Sequence, residues 1–140
     1  MRVAIAAIAV LLLAGCWPVG VERGPAGRIG PTLVVEVTNR SARELPASYE
    51  FSASASSGGG EGLVNSCEHL SQVWGDVAGT FTISIDGKPV LDAEVAPGTP
   101  LEGYLVVRIE VDPDGEAQAI GPPRWTRQPP DPDAQRVPCG

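Results

Sequence analysis

Apolar and polar residues alternate with a period of two along four separate stretches of the chain. Leu33, Val35 and Val37 alternate with Val34, Glu36 and Thr38, and Tyr49, Phe51, Ala53 and Ala55 with Glu50, Ser52, Ser54 and Ser56. Phe81, Ile83 and Ile85 alternate with Thr82, Ser84 and Asp86, and Leu105, Val107, Ile109 and Val111 with Val106, Arg108, Glu110 and Asp112. Successive side chains of a strand point to opposite faces, so each stretch predicts a strand with one apolar and one wetter face.

Turn residues punctuate these runs. Asp86-Gly87 predicts a tight hairpin leading into a strand over 89–95. Pro97-Gly98 marks a loop, and Asp112-Pro113-Asp114-Gly115 a turn returning into 116–120. Ser57-Gly58-Gly59-Gly60 predicts a flexible connection to a strand near Leu63. Cys67, Leu70 and Trp74 fall at helical spacing behind Ser66, but the stretch is short, and an irregular strand is favoured over a helical turn. From Gly121 to Pro138 the prolines 122, 123, 129, 130, 132 and 138 predict an extended tail that joins no ladder. No internal repeat is evident. Six to seven short antiparallel strands, each with one apolar face, predict an all-β sandwich of two packed sheets.

The N-terminus follows a different logic. Arg2 precedes an unbroken apolar run, Val3 to Leu13, too short for the roughly 20 residues that span a bilayer. Ala14 and Gly15 then supply the small side chains that a signal peptidase admits, directly before Cys16. Leu13-Ala14-Gly15-Cys16 resembles the lipobox of bacterial lipoprotein precursors. That resemblance implies cleavage before Cys16 and a diacylglycerol on its sulfur, anchoring the chain at the outer side of the cytoplasmic or outer membrane. The implied organisation is a leader over 1–15, a Gly/Pro-rich tether over 16–31 with a reach of roughly 20 Å, and a domain over 32–140. With the strand Leu33–Asn39 and the Asp86-Gly87 hairpin, the chain is similar to small actinobacterial-type envelope lipoproteins with an immunoglobulin-like sandwich. Those families imply no particular activity.

Charge and cysteines narrow the picture further. Seventeen acidic residues face ten basic ones, a net charge of −7, and removing the leader takes away only the positive Arg2. The basic residues are scattered singly, which argues against nucleic acid as a partner. With Cys16 assigned to lipid, Cys67 and Cys139 remain as an even pair in an oxidising compartment and predict a disulfide that pins the tail to the middle of the domain.

The residues that could carry chemistry are few. His69 is the only histidine, and no Gly-x-Ser-x-Gly elbow accompanies it. A lipid-anchored hydrolase built on carboxylates or His69, with Glu68, Ser66, Ser71 and Asp76 nearby in sequence, is the alternative to a non-enzymatic module. One histidine gives no ligand cluster for a transition metal, and Asp112-x-Asp114-Gly115 lacks the later carboxylates of a calcium loop except Glu116, while Pro113 favours a plain turn. No metal or cofactor is therefore expected. A binding reading rests on Trp74, Tyr104 and Trp125: Tyr104 is out of phase with the inward Leu105 series, and Trp125 lies between Arg124 and Arg127 as a platform for an envelope protein or a glycan. The rival for both tryptophans is closure of a core short of aromatics.

Overall fold

The computed structural model describes residues 28–140; the leader, Cys16 and the tether as far as Gly27 lie outside the described residues. The alternating stretches form strands and pack their apolar sides together. In chain order the strands are β1 (Thr32–Asn39), β2 (Leu45–Ser52), β3 (Ser57–Val64), β4 (Glu68–Asp76), β5 (Thr80–Ile85), β6 (Lys88–Glu94) and β7 (Tyr104–Val111). Three short ones follow: β8 (Ala117–Ala119), β9 (Arg124–Thr126) and β10 (Gln135–Arg136). One sheet runs β10-β4-β1-β7-β8 with β9 also on β7, and the other runs β3-β2-β5-β6. The only parallel pair among them joins β1 to β7, Leu33 opposite Leu105 through Val37 opposite Ile109. It corrects the expectation of antiparallel strands alone, and the short strands raise the count from six or seven to ten among the described residues.

One core lies between the two sheets. Leu33, Val35, Val37, Leu105, Val107 and Ile109 from the first meet Tyr49, Phe51, Phe81, Ile83 and Ile85 from the second. Non-directional burial of this apolar surface is the main force holding the sheets together. The hairpin at Asp86-Gly87 forms as its dipeptide predicts: both residues take positive φ (52° and 74°), the twist that a two-residue connection requires. Ile29 to Pro31, assigned above to the tether, instead pack on the domain, where Pro31 O accepts the Val77 N–H at 3.0 Å.

Three further expectations are corrected. The run from Tyr49 does not continue as a strand to Ser56: β2 stops at Ser52 and the chain turns, with Ala53 N–H donating to Ser56 O at 2.8 Å. The glycine run is no flexible connection but the first half of β3. Its glycines are required by what they face, since Gly58 pairs with Phe51 and Gly60 with Tyr49. A Cβ would stand 2.9 Å from the Phe51 ring at Gly58 and 3.0 Å from the Tyr49 ring at Gly60. The aromatic rings cover the bare backbone and supply the packing that glycine lacks.

The tail, thirdly, does form ladders. Its two proline-free intervals supply β9, paired with β7 through Leu105 opposite Trp125, and β10, paired with β4 through His69 opposite Gln135. Residues 127–134 carry the chain from one edge of that sheet to the other. There Cys139 meets Cys67 with a Cα–Cα distance of 5.2 Å, a disulfide separation, across 72 residues of sequence.

The pairing of glycine with aromatic has a measurable consequence. Gly60→Val is expected to lower stability in urea by about 1–3 kcal/mol through overpacking against Tyr49. At Gly62 a Cβ meets nothing within 4 Å, and Gly62→Val should stay within about 0.5 kcal/mol of the parent or gain slightly from strand preference. Equal losses at both positions would remove the packing explanation.

Candidate functional site

The two flanks of the domain are closed differently. On one, β6 and β8 approach without pairing, and Lys88 Nζ meets Glu116 Oε1 at 3.3 Å. On the other, the edges of β3 and β4 lie side by side without forming a ladder. β10 covers β4 only at Glu68 and His69, so the rest of that edge is unpaired among the described residues.

Ladder alternation fixes which backbone groups of β3 face outward. Pro46 has no N–H and stands opposite Leu63, so that pair is a non-hydrogen-bonded one. Counting from the Ala53–Ser56 turn gives the same phase. Gly58, Gly60 and Gly62 therefore bond to β2, while Ser57, Gly59, Glu61 and Leu63 aim their N–H and C=O groups at the open edge. Leu63 O is taken by the Gln72 side chain at 3.1 Å, a strut between the two sheets. Ser57, Gly59 and Glu61 keep theirs free among the described residues.

Between these edges lies a groove of about 460 Å³. Trp74 and Tyr49 form its floor, ring centroids 5.8 Å apart and tilted by 36°. Trp74 is held by its indole N–H, which donates to Gln72 Oε1 at 3.0 Å, and Tyr49 by its hydroxyl, which donates to Trp74 O at 3.3 Å. Leu63 and Val73 on the rim are 56% and 66% exposed, two of the four large apolar side chains left in solvent among the described residues. Two further hollows, of about 570 and 550 Å³, also touch Glu61, so the whole length of β3 is flanked by concave surface.

The Tyr49 hydroxyl titrates above its ordinary 10.0, first because burial disfavours the phenolate and second because Asp76 is negative nearby. The unfolded chain then loses this proton before the folded one. Stability held below about pH 10 should fall as pH rises past that point. Tyr49→Phe is expected to blunt this alkaline loss while costing about 1 kcal/mol at neutral pH through the missing hydrogen bond. Urea titrations between neutrality and pH 11 provide the check.

The residues singled out by sequence lie in three other places. Tyr104 and Trp125 are neighbours across the β7–β9 ladder but point to opposite faces, because Trp125 is in register with Leu105 and Tyr104 with Thr126. Trp125 packs against the core, its indole N–H donating to Glu102 O at 3.0 Å, so the two rings form no common platform. His69 stands on the outer face with Nδ1 2.7 Å from Thr38 Oγ1. Asp76 is at the opposite end of the same nine-residue strand and Glu68 meets Asn65, so neither of these carboxylates joins His69. Ser71 shares the face of His69, opposite Glu36, and Glu36, Arg108 and Glu110 line a small hollow with His69. Asp112 accepts the N–H groups of Asp114 and Glu116 at 2.9 and 3.0 Å, as a turn carboxylate does. Among the described residues no three His, Cys, Asp or Glu side chains are grouped as metal ligands. Of the sequence candidates only Trp74 lines the groove. Tyr49, Leu63, Gln72 and Val73 were invisible because the site exists only where two sheet edges meet.

No family model matches the chain, and neither does a curated protein or a solved structure.

Proposed function

We propose that the chain is a lipid-anchored lipoprotein on the extracytoplasmic side of the bacterial cell membrane or outer membrane, acting as a non-enzymatic binding module of the cell envelope. The observation that carries the binding reading is the aromatic-floored groove beside the unpaired β3 edge; on the other flank β6 and β8 also form no ladder, but Lys88 reaches Glu116 between them. Exposed apolar side chains rimming a concavity mark interaction surfaces. Support for the anchor is Leu13-Ala14-Gly15-Cys16 at the end of the apolar run. The two sheets are read as an immunoglobulin-like sandwich, a reading supported by the parallel β1–β7 pair and by connections that pass between sheets.

Two experiments test this reading. Metabolic labelling with palmitate should mark the parent protein and not Cys16→Ala, which should also leave the membrane fraction. A photo-crosslinking side chain at Val73, on the open flank, should yield a discrete adduct in the native envelope, whereas one at exposed Asp92 on the far edge of the other sheet should not. Equal adducts from both positions would overturn the assignment of the flank.

A further inference from the structure

Resting on that reading of the β3–β4 flank, we infer that its occupant is an extended, cationic polypeptide segment that adds to the β3 edge as another strand. The backbone makes the first case. Ser57, Gly59 and Glu61 present N–H and C=O groups outward at every second residue, the spacing an incoming strand needs. Apart from β4, whose edge from Leu70 to Asp76 opens on the same groove, the other edges are blunted: β6 carries Lys88 and Pro89 beside a break in register, Gly121-Pro122-Pro123 interrupts the β8–β9 edge, and β10 is two residues long. β3 runs for eight residues with four glycines and neither proline nor lysine. An edge of this kind is a template for another chain unless something covers it.

The groove makes the second case. It runs beside the free edge, so alternate side chains of an added strand would enter it over Trp74 and between Leu63 and Val73. Apolar side chains fit that lining.

Charge selects the partner. Between Arg43 and Lys88 the sequence holds no lysine or arginine, but it holds Glu44, Glu50, Glu61, Glu68, Asp76 and Asp86. Glu61 lies on the free edge, Glu50 faces Gly59 across the β2–β3 ladder, and Asp76 is close enough to act on Tyr49. Arg136 stands only at the distant end of β4, opposite Glu68. A second copy of this chain would set the same acidic rim against itself, and its β3 would offer the groove mainly glycines, with Leu63 and Val64 only at one end. A segment alternating basic and apolar residues satisfies all three features, its charge steering the encounter and its backbone and apolar side chains holding the complex.

The test uses the full chain in detergent micelles and an end-blocked, dye-labelled octapeptide of alternating lysine and valine. It should bind at least about tenfold more tightly than the glutamate–valine octapeptide or a lysine–valine peptide N-methylated along one edge, and the preference should shrink with added salt. Amide exchange at Ser57, Gly59 and Glu61 should slow on binding. Glu61→Lys, at an exposed position, should weaken binding about tenfold, and Glu61→Pro, which removes one edge N–H, should abolish protection of the edge. Equal binding of the three peptides, unchanged exchange at the three amides, or tighter binding of an N-acetylglucosamine hexamer would overturn the inference. So would protection of the same amides by concentration-dependent dimerisation without peptide. If the peptides fail while the Val73 adduct persists in the envelope, this inference falls and the binding reading survives; if both fail, both fall.

Discussion

Removing the Cys67–Cys139 bridge is expected to cost about 4 kcal/mol, a large share of the roughly 5–15 kcal/mol that holds a domain of this size. The magnitude follows from the 72 residues between the two positions: without the bond, the unfolded chain regains the freedom of a loop of that length. A second contribution comes from the folded state. Val137 N–H donates to Cys67 O at 3.0 Å and Gly140 N–H to Arg40 O at 3.3 Å, and β10 lies just before them. These contacts follow the bridge closely and should fray when it is gone. The double variant Cys67→Ala/Cys139→Ala should therefore unfold at a clearly lower urea concentration than the oxidised parent, and reduction of the parent should reproduce most of the shift. Exchange at the β10 amides should quicken more than at β5, which lies in the other sheet. Non-reducing mass spectrometry of the parent should find the two cysteines joined. A double variant as stable as the parent would show that closure of this loop contributes nothing.

The strands with side-chain alternation were legible because their information is local. Leu105 to Val111 names its own buried face, and Asp86-Gly87 names its own turn geometry. The glycine-rich β3 was not, because glycine has no hydropathy to alternate. A usable signal did exist: Gly58 and Gly60 follow Tyr49 and Phe51 at the same two-residue interval across a serine-rich turn, as aromatic rings and bare backbone do when they face one another. The alternation of Ala53 and Ala55 misled for the converse reason, since alanine is at home in turns as well as strands. In the tail, the prolines drew attention from the intervals between them, where Arg124-Trp125-Thr126 and Gln135-Arg136 keep every N–H a ladder needs. The groove was the least legible feature. It depends on β3 and β4 ending in different sheets on the same flank, which no spacing along the chain encodes.

Asn39→Asp is expected to destabilise by about 3–5 kcal/mol at neutral pH, because it buries a charge in a corner whose hydrogen bonds are already complete. Asn39 ends β1 fully buried, and all four hydrogen-bonding positions of its amide are used. Nδ2 donates to Arg43 O and Asn65 O at 3.0 Å each, while Oδ1 accepts from Ser41 N at 2.9 Å and Ser41 Oγ at 2.7 Å. One side chain thus joins the turn between β1 and β2 to the turn between β3 and β4. Ser41 O, in the same corner, accepts the Cys67 N–H at 3.3 Å. An introduced carboxylate would keep the acceptor half of this pattern and turn a second oxygen toward two carbonyls, burying a charge against acceptors. Its proton would be held more tightly in the folded state than in the unfolded one. The variant should therefore fare best below about pH 4 and lose ground as pH rises through the raised folded-state value. Asn39→Ala leaves the same backbone groups unpaired without introducing a charge. It should cost about 3 kcal/mol with little dependence on pH. Urea titrations of the two variants between pH 4 and 7 separate the effects: the gap between them should widen toward neutrality, and parallel curves would mean that the donor half of Asn39 is not what joins the two turns.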